Sequence, residues 1–474
     1  MPLTSTPDRG SSFGGKVAWV VGILAFVAVV LLQQGFFEPK SPHSQSPTSA
    51  MAAPALGDPF VQSAKMMVRL KSFFGAAAQS DGQALLDMTG KPGASRVDKF
   101  RHAIVAAELA GADVARKELE DVAKAEATTG TNSLSAEETA RLDEQIASMR
   151  TILDGQSSAL SSKQRDDLVA DHGYLGELLL SFGKPDADPN RAPLVAGGGY
   201  MALLVVLFLC ILVVGGLGGL SACIAFFVML GNGKIKRRFT APAPGGSVYL
   251  ETVALFLGSF LLLQLVTHLL LPPEAINIKL LSQWLLLLVP LWPLARGVAA
   301  KDWRAQLGLT SSKSLLHEVG VGIFAYFASI PFIAIALAIV IVYTLAKSHS
   351  DPSAGPPHNP IQDLVGQGDS TTLVLVFLLA TIWAPLTEEM VFRGAFFRHL
   401  RGRLGVFAAA AISALVFGFM HGYALALLLP VITLGFTFAL TREWRGSLIA
   451  PMVGHFLHNA TLLTLAILLV LSGK

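Results

Sequence analysis

Apolar residues gather in nine long blocks, and charged residues, proline and glycine return between them. The blocks are Val17–Phe36, Tyr200–Leu230, Val248–Leu271, Leu280–Ala295, Val319–Ala346, Thr371–Phe397, Gly405–His421, Tyr423–Leu440 and Ser447–Leu471. A helix of ~20 apolar residues crosses the hydrocarbon core of a bilayer, so each block reads as a helix that crosses or enters a membrane. Between the first and second blocks the pattern changes. Residues 38–56 are rich in Pro, Ser and Ala, the composition of a linker. From 57 to 182 apolar residues recur at helical spacing in a polar background. Ser135 and Glu138 form a capping box ahead of Leu142, Ile146, Met149 and Leu153, and Gly155 ends that helix. Phe60, Ala64, Met67 and Val68 mark an earlier apolar face, and Asp186 to Pro193 read as a second linker.

The predicted fold class is therefore all-α: a polytopic membrane helical bundle with an inserted soluble helical domain. Its parts are a tail and membrane anchor over 1–37 and a soluble domain with flanking linkers over 38–197. A membrane helix with a basic loop follows over 198–246, then a second membrane domain over 247–474. The small residues Ser49 to Ala52 lie too far beyond the first block for an ordinary signal cleavage site, so that block reads as a retained anchor.

Composition agrees. At 474 residues, 52% hydrophobic and 15% charged, the chain does not read as a large soluble enzyme. Cys210 and Cys223 both fall in the second apolar block and staple nothing in the polar region. The net charge of +3 conceals an asymmetry: residues 38–197 hold 22 acidic and 17 basic side chains, the remainder 11 and 19. Nothing in this balance points to nucleic acid. The basic excess follows the positive-inside rule. Lys234, Lys236, Arg237 and Arg238 mark one cytoplasmic loop, with anionic lipid as an alternative role. Arg296, Lys301, Arg304 and Lys313 mark a second, Arg398, Arg401 and Arg403 a third, and Arg442 with Arg445 a fourth. The N-terminus is then cytoplasmic and residues 38–197 are exported. Gly215 and Gly219 have the small-residue spacing that lets membrane helices approach closely, as in a dimer interface.

The chemistry concentrates in the last three to four blocks. Glu388 and Glu389 follow thirteen almost wholly apolar residues, Thr371 to Trp383. A charge at the bilayer centre costs about 2.5–3.5 kcal/mol on insertion scales. Glu389 and Arg393 are four apart and share a helical face, so they read as a structural pair. Glu388 points about 100° away and has no such partner. His421 ends the seventh block, and His455, His458 and Asn459 interrupt the ninth. Counted from the basic loops at about 1.5 Å per residue, Glu388, His421 and Asn459 lie at similar depths, about 21–24 Å.

These residues form Glu-Glu-x-x-x-Arg at 388–393, Phe-x-x-x-His at 417–421 and His-x-x-x-Asn at 455–459. Their order and setting resemble the CAAX prenyl endopeptidases and bacterial relatives of the CAAX protease and bacteriocin-processing (CPBP, or Abi) family. The resemblance covers roughly Val248 to the C-terminus. It implies an intramembrane endopeptidase in which Glu388 and His421 activate water, and His455 with Asn459 stabilise the oxyanion. Glu389 and Arg393 match supporting positions, and His458 reads as a supporting or packing residue.

A base for water and donors for an oxyanion are what peptide hydrolysis in a dry site needs. A zinc-like set of Glu388, His421 and His455 competes as a divalent metal site, in line with the metalloprotease label often given to the family. It would use Glu388 as a ligand and leave no obvious base, and no His-Glu-x-x-His motif is present. No cofactor is therefore favoured. The expected partners are a peptide or protein substrate, reached from the membrane or its cytoplasmic face, and membrane lipid. The partner of residues 57–182 is unknown. The exported insertion points to a bacterial cell membrane. The rival readings are a membrane scaffold or immunity protein, and a proton-coupled transporter.

Overall fold

A computed structural model describes residues 7–34, 58–75, 82–89, 95–124, 134–272, 274–310, 314–350, 361, 364–365 and 368–473. The linker at 38–56, Lys313, and most of the loop between 350 and 370 lie outside these. Every regular element among the described residues is helical, so the all-α, polytopic bundle is the observed fold. The chain divides into two compact units, one built mainly from residues 40–209 and the other from 1–39, 210–350 and 355–466.

The unit over 40–209 is a small helical bundle. Its core includes Ala64, Val68, Phe100, Ile104, Leu142, Met149 and Leu168. The helix Ala136–Leu153 starts on the Ser135–Glu138 capping box, and Gly155 follows its end with φ +77°. A buried polar network crosses this core. Arg101 Nε donates to His172 Nδ1 at 3.3 Å, and His172 Nε2 donates to Gln145 Oε1 at 3.0 Å. Burial holds the His172 pKa down at about 3, so the ring is neutral. Arg191 grips Glu108 through two hydrogen bonds, and this pair holds the Arg191 pKa above its ordinary value.

In the other unit lie helices apolar enough to cross a bilayer: Ser12–Gln33, Val248–Leu270, Ile276–Ala295, Leu315–Lys347, Ser370–Arg401, Leu425–Arg445 and Ile449–Leu469. The second apolar block forms the helix Gly198–Gly231, most of which belongs to this unit. The seventh block is shorter than expected. It is helical over Val406–Phe419, and His421 sits in the turn beyond, where Gly422 takes φ +65°.

The glycine face of Gly198–Gly231 packs within the chain. A methyl group on Gly219 would come to 3.0 Å from Ile330 Cβ, and one on Gly218 to 3.1 Å from the Phe327 ring.

The arginines that mark topology also tie one end of the bundle together. Arg398 pairs with Asp8 at 2.7 Å, Arg401 with Glu443 at 3.0 Å and Arg445 with Glu318 at 2.7 Å. Arg398 and Arg401 lie in the helix Phe397–Arg401 rather than in a loop, and Arg442 and Arg445 end the helix Leu428–Arg445. There they complement the helix dipoles. The opposite end of Ser12–Gln33 meets the turn that carries His421. Gln33 Nε2 donates to the Met420 carbonyl at 3.1 Å, and Gln34 Nε2 to that of Tyr423 at 3.4 Å.

Candidate active site

The helix Ser370–Arg401 carries both glutamates, and it is not a regular α-helix. Leu379–Trp383 and Glu389–Phe396 are π-helical, on either side of the short α-helical turn Ala384–Glu388. Such insertions recur at functional sites because they re-aim side chains without breaking the helix. Pro385 contributes to the first. A π turn pairs the carbonyl of residue i with the amide of i+5; here the Ala384 amide bonds Leu379 O. The next carbonyl, Ala380 O, would take the amide of residue 385, and proline has none. Asn459 fills the gap, with Nδ2 donating to Ala380 O at 2.7 Å.

Glu389 is fully buried. Its Oε1 accepts from Arg393 Nη1 and from His455 Nδ1, each at 3.0 Å. The first of these bonds is the pair read from the sequence; the second was not foreseen. Arg393 is equally enclosed: Nη2 donates to Gly435 O at 3.1 Å, and the guanidinium lies 4.1 Å from the Phe417 ring centroid. The ion pair thus has hydrogen bonds and an aromatic face to offset its desolvation.

Glu388 differs. Its side chain keeps 17% of its exposure, and Oε2 lies 3.8 Å from His455 Nε2, beyond hydrogen-bond range. Among the described residues the carboxylate has no hydrogen-bond partner; Oε2 is buried without one, as is Oε2 of Glu389. His455 therefore stands between the two glutamates, one ring nitrogen on each side.

His421 donates from Nδ1 to the Phe417 carbonyl at 2.9 Å. A carbonyl only accepts, so the neutral ring carries its proton on Nδ1 and leaves Nε2 as an acceptor. The same reasoning gives neutral His455 a proton on Nδ1 and an acceptor at Nε2. His421 makes no bond to Glu388, but Glu388 and His455 lie within electrostatic range of it. His458 has Nδ1 3.5 Å from the Tyr326 hydroxyl and lies near His455 and His421.

Two aromatic residues were not singled out as site residues from the sequence. Phe417 is packed against Phe392 at 5.3 Å, His421 at 4.7 Å and His455 at 6.0 Å between ring centroids. It is the first residue of the second motif, which was the available signal. Tyr423 lies 5.5 Å from the His421 ring and within electrostatic range of Glu388; nothing in its sequence neighbourhood marks it.

Among the described residues no group of three His, Cys, Asp or Glu side chains has the arrangement to hold an ion. Nδ1 of each imidazole, His421 and His455, is committed, to Phe417 O or to Glu389, which fixes the ring and leaves Nε2 open.

Fold and site together define an integral, multi-pass membrane protein with a carboxylate–histidine centre inside its helical bundle. Residues 370–461 match the family described as type II CAAX prenyl endopeptidase Rce1-like, a span that contains all three motifs. This segment is similar to the CAAX protease family, which is one of proteases. No curated protein and no solved structure matches the chain.

Proposed function

We propose that the protein is an intramembrane endopeptidase in which Glu388 is the general base. The observation that carries this reading is the division of labour between adjacent carboxylates. Glu389 Oε1 accepts from both Arg393 and His455, whereas Glu388 makes no hydrogen bond to the described residues and keeps access to the site. Glu388 takes a proton from water, and His421 Nε2 serves as a second acceptor that orients it. The water oxygen bonds to the scissile carbonyl carbon, and the carbonyl oxygen becomes an oxyanion. His455 in its imidazolium form donates from Nε2 to that oxygen, and Asn459 donates through the amide hydrogen not used by Ala380. Collapse breaks the C–N bond as the proton held by Glu388 passes to the leaving amine. A positioned base contributes about 10²–10⁴-fold, and each oxyanion donor about 10²–10³-fold.

The reaction as drawn needs no metal. The substrate is a peptide or protein segment. It reaches the site through the membrane or, in place of the cytoplasmic face expected from the sequence, from the end of the bundle that carries the Met420–Ala424 turn, remote from the arginine-rich end. With those arginines cytoplasmic, the N-terminus is cytoplasmic and residues 38–197 are exported across a bacterial cell membrane.

The test is cleavage of a peptide library by the purified protein in lipid, comparing wild type with Glu388→Gln, with and without chelator. We expect loss of at least about 10²-fold in the variant and no effect of chelator. Chelator-sensitive cleavage would favour a metal-dependent protease. Equal cleavage by variant and wild type would remove Glu388 from the chemistry.

A further inference from the structure

The 40–209 unit ends on the first turns of the helix Gly198–Gly231, and there it carries an apolar surface outside its core. The helix Pro59–Phe74 places Ala64, Met67 and Val68 in that core. Its last two residues, Phe73 and Phe74, are instead 56% and 54% exposed. Their rings stand edge to face with centroids 5.3 Å apart.

Packing within the unit fixes where this pair sits. A methyl group on Gly198 would come to 2.2 Å from Arg69 O and 2.6 Å from Phe73 Cβ, and one on Gly199 to 3.2 Å from the Phe73 ring. Glycine allows this close approach of backbones, so the end of Pro59–Phe74 lies directly against the first turn of Gly198–Gly231. The chain leading into that turn is pinned to the same helix. Ser72 Oγ donates to Asp186 Oδ2 at 2.6 Å, and Arg191 Nε donates to Asp186 Oδ1 at 2.7 Å.

That first turn belongs at a membrane boundary. No charged residue or histidine occurs between Arg191 and Lys234. At about 1.5 Å per residue, residues 200–230 span about 46 Å, which matches the ~40–45 Å of a bilayer with both headgroup layers. Tyr200, exposed in the first turn, suits the level of the headgroups. Leu203 and Val206 continue the exposed apolar surface along the helix.

We propose that Phe73 and Phe74 are a membrane anchor for the 40–209 unit, with both rings inserted into the lipid beside the first turns of Gly198–Gly231. Exposed apolar patches of this kind mark interaction with a membrane or a protein. Interfacial helices bury side chains such as phenylalanine about 5–10 Å into the headgroup and acyl boundary. Here the patch is continuous with the exposed apolar side of a membrane helix, which favours lipid over a peptide or a second copy of the chain. The inference does not depend on the protease reading.

The experiment uses the full-length protein reconstituted in phosphatidylcholine vesicles. Two photoactivated diazirines are compared, one on the acyl chain of phosphatidylcholine and one on a water-soluble reagent. Adducts are mapped to residues by mass spectrometry, with residues 203–209 as the positive control for lipid. We expect the lipid probe to modify Phe73 and Phe74 as it does the control, and the water-soluble probe to leave both unmodified. Modification by the water-soluble probe would overturn the anchor. So would modification by neither probe while residues 203–209 react, since protein would then cover the pair. Phe73→Ser with Phe74→Ser changes side chains outside the core, so the fold is retained. Lipid adducts across residues 72–75 should then be lost and replaced by water-soluble ones, while those at 203–209 persist. Unchanged lipid adducts at 72–75 would show that the phenylalanines do not hold the segment there.

Discussion

The hydrogen bond from Asn459 to Ala380 can be separated from any part Asn459 plays at an oxyanion. Asn459→Ala leaves Ala380 O without a donor, since the Ala384 amide is taken by Leu379 O and Pro385 has no amide hydrogen. An unsatisfied buried acceptor costs about 1–3 kcal/mol, and hydrogen bonds between membrane helices average nearer 0.6 kcal/mol. The expected loss is therefore about 1 kcal/mol. Pro385→Ala restores an amide at the i+5 position, where a π turn would aim it at Ala380 O. By itself that substitution removes buried ring contacts and should also destabilise. Combined with Asn459→Ala, it supplies the missing donor. The double variant should then be more stable than the sum of the single losses predicts, by about 0.5–1 kcal/mol. The assay is reversible unfolding in mixed micelles for all four proteins. Additivity within about 0.3–0.5 kcal/mol would refute the claim that Asn459 stands in for the amide proline lacks. Cleavage measured on the same proteins separates the roles: Pro385→Ala can return backbone order, but it cannot return an oxyanion donor.

Two further outcomes follow from the geometry. Gly435→Ala would place a methyl group 3.0 Å from Arg393 Nη2 and 3.0 Å from Phe417 Cδ1. It should destabilise by about 1–3 kcal/mol and lower cleavage, and a melting temperature equal to wild type would contradict this. In the 40–209 unit, His172 is neutral with a pKa of about 3 against an ordinary 6.5. Between those values the unfolded state binds the extra proton, so stability falls as pH drops below about 6.5, by at most about 1.4 kcal/mol per pH unit, until about pH 3. Hydrogen exchange across Arg96–Ala110 and Ala136–Leu153 in the full chain should show the loss, and His172→Gln should flatten it.

The membrane helices, the helical bundle of the 40–209 unit and the Glu389–Arg393 pair were legible because each leaves a local signature. Apolar length marks a span, the Ser135–Glu138 box marks a helix start, and a four-residue spacing puts two charges on one face. The bond from Glu389 to His455 and the bond from Asn459 to Ala380 join positions far apart in the chain, so no spacing rule reaches them. The π turns were hidden for a related reason. Pro385 warns that an amide is missing, but it does not say whether the helix kinks, stops or widens. The depth estimate assumed uniform α-helical rise and a helix running to His421, whereas that helix ends at Phe419. The convergence of the three motifs survived because all of them approach from the same arginine-rich end.

Backbone inside a bilayer has no water to fall back on, so every irregular carbonyl calls for a donor. In this site the motif side chains do much of that work. Asn459 serves Ala380 O, Arg393 serves Gly435 O and His421 serves Phe417 O, while Ser413 adds a bond to Phe392 O. Loss of cleavage after changing Asn459, Arg393 or His421 therefore does not by itself assign a chemical role, because each change also strips the backbone of a partner. Glu388 is the exception among the motif residues. Among the described residues it serves no carbonyl and makes no hydrogen bond, and it stands opposite a histidine that Glu389 holds in place. Glu388→Gln should thus remove cleavage while leaving stability nearly unchanged. That separation between function and fold is what distinguishes a base from a brace.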